Sequence, residues 1–403
     1  MIIRRSALAT VLSLVVLLIT ALLPFNLLTF SGLALIGLAV VVAACGLLIC
    51  LSLPDRGSRV ALIVLAASLI LHGLASWQFR PDAAITGVVA VASLAGGRMA
   101  SPRAPRLVAA FALALVGLVV VQWLTSSSDY LQHLPGTEAP IDYTGQETFR
   151  SPGTFGHPLP VQAWLGAIAA GAFAYFAEAR RVLYCLAVLV LALLVSVSTG
   201  SRSGPLILAG TLVLAATFRP ALLDGLLRSR RQVGLGVAVA SLGLAGTILA
   251  RPWDDGGLRV LDYGRLLTSD SYAVRSSAVQ LANQATADIP CDLACLAFGH
   301  GFRFLTGRFL AGGGPTDLSA TVDNWYVTSF VDLGLASVLV LLSLVGLAVV
   351  RLRDSSSRYQ AAGATIFLYM AMYAMIFDLF YNHALVALAG FALGHATRDT
   401  LSP

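Results

Sequence analysis

Ser198-Thr199-Gly200-Ser201-Arg202-Ser203-Gly204 splits an otherwise uncharged apolar stretch in two. Val182–Val197 precedes it and Pro205–Phe218 follows it, each without a single charged residue. An arginine at membrane depth costs about 2.5–3.5 kcal/mol on insertion scales, so it faces a cavity or a partner and not lipid. The break has the grammar of a helix start, with Ser203 expected as N-cap and Pro205 near the first turn. The N–H groups and positive dipole end of that helix then lie beside Arg202, with Ser201, Ser203 and Gly204 around them. That combination suits an anion such as a phosphate or diphosphate.

The rest of the chain extends the same pattern. Hydrophobic residues make up 58% of it and charged residues 11%, and several uncharged runs approach or exceed the ~20 residues that span a bilayer. The expected fold class is an all-α polytopic integral membrane protein with little soluble mass. Apolar segments fall at about 6–25, 31–53, 60–77, 83–97, 106–124, 160–178, 182–198, 204–218, 233–250, 325–350, 359–379 and 383–396, giving about 12 transmembrane helices in one domain, 1–403. The first run follows Arg4 and Arg5 as a signal peptide would, but no small-residue cleavage site follows it, so it reads as an uncleaved helix.

The arginines set the expected orientation. All 26 basic residues are arginine. With the N-terminus in the cytoplasm, seventeen fall at cytoplasmic ends and nine on the other side, the bias that the positive-inside rule describes. Most acids lie in the outer loops. Both termini are then cytoplasmic, and two large extracytoplasmic loops cover 125–160 and 251–322. The positive balance follows topology and gives no reason to expect nucleic acid.

Histidines are scattered and no metal motif stands out; neither a metal nor a cofactor is expected. Cys291 and Cys295 form a Cys-x3-Cys pair in the second outer loop, either a disulfide or two free thiols. His157 and His300 sit in outer turns rich in glycine and proline, where they either pack the turn or meet substrate. Asp378 with Asn382 and His383 forms a polar group at the outer end of the eleventh segment. Gly312-Gly-Gly-Pro315 reads as a loop or lid and is no nucleotide fingerprint.

Four segments within 150–350 resemble the O-antigen ligase and polymerase superfamily of polyprenyl-diphosphate-dependent glycan assembly proteins. Arg150-Ser-Pro-Gly-Thr-Phe-Gly-His-Pro158 is similar to a family segment ahead of a transmembrane helix, and Thr199-Gly-Ser-Arg-Ser-Gly204 to its Ser-Arg-Gly signature. Arg275 followed by Phe298-Gly-His-Gly-Phe302 is similar to the family's loop arginine and Gly-x-Gly-Phe. Asp323-Asn-Trp-Tyr326 with Gly334 is similar to the family's His-Asn-x-Tyr-Leu…Gly-Leu, with aspartate where the ligases carry histidine. That departure leans toward a polymerase.

The resemblance implies a GT-C-like membrane glycosyltransferase acting on the outer face of a bacterial cytoplasmic membrane. Its partners would be the bilayer, a polyprenyl-diphosphate-linked glycan donor and a glycan acceptor, with a flippase and a chain-length regulator alongside. Arg202 and Arg275 are the expected diphosphate ligands, since planar guanidinium donors match phosphate oxygens in pairs. Arg275 falls on the edge of an expected amphipathic helix near 271–284, where the other reading is a solvated charge. Asp323 is the expected general base, the bland alternative being a helix cap. Arg150, His157 and His300 are expected around the substrate. Competing readings are a ligase, a cell-wall elongation glycosyltransferase of the shape, elongation, division and sporulation family, and a secondary transporter whose Arg202 binds an anionic solute.

Overall fold

The computed structural model describes residues 2–22, 32–52, 81–101, 104–126, 150–155, 157–222, 224, 278–301, 304–305, 324–377 and 382–398. Among these every regular element is a helix. The helices are α1 (Ile2–Leu22), α2 (Gly32–Ser52), α3 (Pro81–Met99), α4 (Ala104–Thr125), α5 (Pro158–Glu178), α6 (Val182–Ser198), α7 (Ser203–Phe218), α8 (Ala278–Thr286), α9 (Leu293–Phe298), α10 (Trp325–Arg353), α11 (Arg358–Tyr373) and α12 (His383–Ala396). Ten expected apolar segments coincide with helices; those at 60–77 and 233–250 lie outside the described residues. Four helices, α1, α4, α5 and α10, are long and apolar enough to cross a membrane. The described part of the chain is therefore all-helical and compatible with a bilayer.

Burial separates an inner layer from an outer one. α5, α11 and α12 are buried around most of their circumference. α10 instead exposes Leu335, Leu339, Val340 and Leu342, and Val213 of α7 is 69% exposed. Apolar side chains spread over whole helix faces suit a lipid surround far better than water. The tightest pairing in the bundle joins α3 to α12. It depends on Gly97, Gly390 and Gly394, where a Cβ would overlap the backbone of the facing helix. In lipid, association rests on van der Waals contact, and small residues four apart let two backbones meet.

Hydrogen bonds between helix ends sort the bundle into two poles. At one pole Arg5 donates to Leu51 O, Ser101 N to Thr10 Oγ1, Arg398 to Ala100 O, and Arg219 to Glu178 and to Leu352 O. At the other, Thr154 Oγ1 donates to Ala21 O, Ser151 N to Ser198 O, Tyr373 Oη to Leu159 O, and Trp325 N to Ala374 O. From α1 to α2, from α3 to α7 and from α10 to α12, successive helices alternate between the poles. Among the described residues, Arg150 and Arg202 alone of the arginines fall at the second pole. The arginine asymmetry read from sequence thus coincides with a real division of the bundle.

α10 is interrupted at Gly334, whose φ is 75° and ψ −175°. Three carbonyls ahead of the break find new donors. Ser337 Oγ lies 2.9 Å from Ser329 O, His300 N donates to Val331 O at 2.9 Å and Gly301 N to Asp332 O at 2.9 Å. The loop after α9 therefore docks into the broken helix, and its Gly299 has the same left-handed geometry, φ 76°. Each glycine lies against the other segment's backbone: a Cβ on Gly334 would overlap the Ala297 carbonyl, and one on Gly299 the Asp332 carbonyl. Asp332 closes the junction, 2% exposed, with Oδ1 accepting from Leu305 N at 2.9 Å.

Gly334→Ala should lower stability by about 1–3 kcal/mol, the usual range for a side chain forced into a strained backbone region. Gly46→Ala, in α2 with open space around the position, should be neutral or slightly stabilising. Thermal unfolding of both variants in detergent checks this. Equal melting temperatures would mean that the break tolerates a side chain.

Candidate functional site

The break between α6 and α7 is built from its own backbone. Thr199 is the C-cap of α6, and Gly200 follows with φ 61°. Gly200 N donates to Val197 O at 3.1 Å and Ser201 N to Ser196 O at 2.9 Å. These two bonds make a Schellman closure, which satisfies carbonyls that a helix end would otherwise orphan. The closure changes the expected helix start. Ser203 is the first helical residue and not the cap; Arg202 holds the N-cap position with αR dihedrals and no side-chain cap bond. The capping oxygen comes from Ser201, whose Oγ accepts from Gly204 N at 3.3 Å and meets Ser203 Oγ at 3.3 Å. The chain leaves the left-handed Gly200 straight into helical geometry, so the serine three residues before Gly204 supplies that oxygen.

Gly204 is fixed by packing. A Cβ there would overlap the Gln162 amide of α5 and lie 3.0 Å from Ser196 Oγ. Gln162 is 1% exposed, and its Oε1 accepts from Thr199 Oγ1 at 3.1 Å. Three helices thus meet at the break through Gln162, a residue that gave no signal in sequence because it sits inside an apolar run.

Arg150 comes to the same place from the first loop. Its Nε donates to Thr199 O at 2.9 Å, and a Cβ on Gly200 would lie 3.2 Å from its side chain. Gly200 has no side chain to obstruct it. Ser151–Phe155 behind it are buried. Ser151 Oγ donates to Val119 O at 2.8 Å, and the Gln122 amide pairs with both backbone groups of Gly153, at 3.0 and 3.3 Å. Two guanidinium-bearing residues, Arg150 and Arg202, therefore sit within one helix-to-helix break at the arginine-poor pole. Arg202 is half-buried.

The histidines have structural partners. His157 is the N-cap of α5, its Nδ1 accepting from Leu159 N at 3.1 Å, with its ring stacked on Phe377. His300 stacks on Phe304 at 4.6 Å, and its Nε2 lies 3.4 Å from Cys295 Sγ. Cys291 and Cys295 are joined in a disulfide, which resolves the two readings of that pair. The two sulfurs and His300 come within 4.8 Å of one another, but paired sulfurs are not thiolate ligands. α8, α9 and α10 enclose a cavity of about 450 Å³ lined by Asn283, Cys295, His300, Tyr326 and Phe330 among others.

Asn324 caps α10, its Oδ1 accepting from Tyr326 N at 3.1 Å and Val327 N at 3.2 Å. The capping role offered as the bland alternative for Asp323 is thus filled by its neighbour. Asn382 caps α12 in the same way, and His383 Nε2 meets Thr86 Oγ1 at 3.4 Å. Arg275, Asp323, Asp378 and Gly312–Pro315 lie outside the described residues. Of the expected amphipathic helix near 271–284, residues 278–284 fall in α8, Ala278–Thr286, and 271–277 lie outside the described residues. Sequence reading missed Asp332, although an aspartate inside an apolar run two residues before a glycine was a usable signal.

Burial holds the His300 imidazole below its ordinary value of 6.5. The folded chain then binds fewer protons than the unfolded one just below that pH, so stability rises with pH there. The contribution is full above about 6.5 and is lost as pH falls through the folded value. Hydrogen exchange at the His300 and Gly301 amides, corrected for intrinsic rates, should quicken on acidification, and His300→Gln should remove that dependence. Protection in the wild type that ignores pH would uncouple His300 from loop docking.

Comparison with protein-family models and with curated proteins returns no match for this chain.

Proposed function

We propose that this chain is a membrane glycosyltransferase that polymerises polyprenyl-diphosphate-linked oligosaccharide units on the outer face of a bacterial cytoplasmic membrane. The reading takes the arginine-rich pole as cytoplasmic by the positive-inside rule, with about twelve spans in a GT-C-like arrangement. The observation that carries it is Arg150 drawn across Gly200, two residues from Arg202 at the head of α7. Guanidinium donors beside a helix N-terminus suit a diphosphate that must leave with its charge stabilised.

In the reaction, an acceptor hydroxyl attacks the anomeric carbon of the donor sugar. The bond from that carbon to the diphosphate oxygen breaks, and polyprenyl diphosphate departs as an anion held by Arg202, with Arg275 as the second ligand. The hydroxyl proton passes to the Asp323 carboxylate, the proposed general base. Asn324 supplies the cap of α10, so Asp323 is not needed for that task. The same site chemistry serves a ligase that transfers a glycan to a lipid, wall or protein acceptor; aspartate in place of the ligases' histidine favours the polymerase. A transporter of an anionic solute would bind and exchange that solute without breaking a bond.

Purified protein supplied with a polyprenyl-diphosphate-linked oligosaccharide should release free polyprenyl diphosphate and lengthen the glycan. Binding without release would overturn the enzyme reading. Arg202→Lys should lose about 10²–10³ in turnover, because charge remains but the paired planar donors do not. Near-normal product at equal membrane abundance would reduce Arg202 to a positive charge.

Asp323→Asn should lose about 10²–10⁴ in turnover while keeping donor binding and expression. Full activity in that variant would remove the carboxylate from the mechanism.

A further inference from the structure

The arginine-rich pole holds a second feature that the transfer reaction does not use. Between α4, α5, α11 and α12 runs a crevice of about 130 Å³, walled by Ile168, Ile366 and Leu388 among other apolar groups. Its rim is polar. Arg106 donates to Tyr359 Oη at 3.1 Å, and Tyr175 Oη donates to the same oxygen at 3.5 Å. Arg358 lies over the Tyr175 ring, 5.7 Å from its centre. A phenol accepts through two lone pairs and donates one hydrogen. With Arg106 and Tyr175 both donating to it, Tyr359 has its own O–H left as a donor. Among the described residues lining the crevice there is no carboxylate.

We propose that this crevice binds an anionic glycerophospholipid, with part of an acyl chain between the helices and the phosphate on Arg106, Arg358 and the Tyr359 hydroxyl. Charge complementarity selects the occupant. The rim offers two cations and a hydroxyl donor at the depth where α4 and α11 both begin, and the walls below it are almost wholly apolar. A zwitterionic lipid fills the walls equally well but adds an ammonium group to a cationic rim. A soluble phosphate ester satisfies the rim and leaves the walls empty. The site is at the pole opposite Arg202, so it stands whether or not the glycosyltransferase reading does.

Native mass spectrometry of the full-length protein in detergent, titrated with phosphatidylglycerol and phosphatidylcholine of matched chains, tests the assignment. The wild type should hold phosphatidylglycerol about tenfold more tightly, on the scale of two surface arginines acting on one anionic head. Arg106→Gln combined with Arg358→Gln should erase that preference and leave phosphatidylcholine binding unchanged. Ala172→Phe, which fills the apolar part, should weaken both lipids alike. Equal affinity of the wild type for the two lipids would overturn the proposal. So would a preference that survives in the double variant, or competition by glycerol 1-phosphate at concentrations like those of the lipid. Monodisperse elution and unchanged helical circular dichroism confirm that the variants are folded, and the wild-type comparison decides the matter even where one is not.

Discussion

A helix broken inside an apolar bundle must find partners for every N–H and C=O that the break releases, because lipid supplies none. This chain has two such breaks among its described residues, and they are closed by different means. Between α6 and α7 the chain closes on itself: Gly200 and Ser201 amides return to Val197 and Ser196, and Ser201 Oγ takes the Gly204 N–H. At Gly334 the carbonyls of Val331 and Asp332 are met by amides from a distant loop. The first solution is local and needs one glycine. The second requires two glycines with matching left-handed geometry, because each backbone occupies the space where the other's Cβ would lie.

The second closure also sets the cavity between α8, α9 and α10. His300 and Gly301 are bonded to α10 through backbone, so α9 and the disulfide that ties its first turn to Cys291 are fixed against the helix that carries Tyr326 and Phe330. The cavity walls come from segments far apart in sequence, yet their register is set by hydrogen bonds and not by side-chain packing alone. Asp332 Oδ1 accepts from Leu305 N as well, a further bond between the loop after α9 and α10. A proline or a bulky residue at Gly299 or Gly334 would therefore loosen the cavity as well as the helix.

Much of the bundle was legible in sequence, and the reason is physical. Uncharged runs of roughly span length mark helices whatever their tertiary partners, and ten of the twelve segments recur as elements. Boundaries tied to capping were harder. Ser203 looked like an N-cap by type, but the Schellman closure upstream shifted the cap oxygen to Ser201. Roles decided across the chain were least legible. Nothing local says that Gln122 will pair with Gly153, that Gln162 will accept from Thr199, or that the loop at Gly299 will enter α10. The disulfide shows the same limit, since a four-residue spacing permits the pair without requiring it. Asp332 was readable in principle: a buried carboxylate in an apolar helix demands a partner, and here a backbone amide 27 residues away provides it.

The distribution of arginine carries the last step. Among the described residues, ten arginine side chains gather at one pole, where Arg5, Arg219 and Arg398 meet carbonyls of helix ends and Arg106 meets a phenol. Packing needs and insertion bias agree there, so no further role is required to account for them. Arg150 and Arg202 lie at the other pole, against the bias that orients the bundle. Gly200 and Ser201 amides close the carbonyls of Val197 and Ser196, and Arg150 Nε meets the next one exposed at this helix end, Thr199 O. Two cations set against the insertion bias at one break are the feature on which the proposed diphosphate site rests.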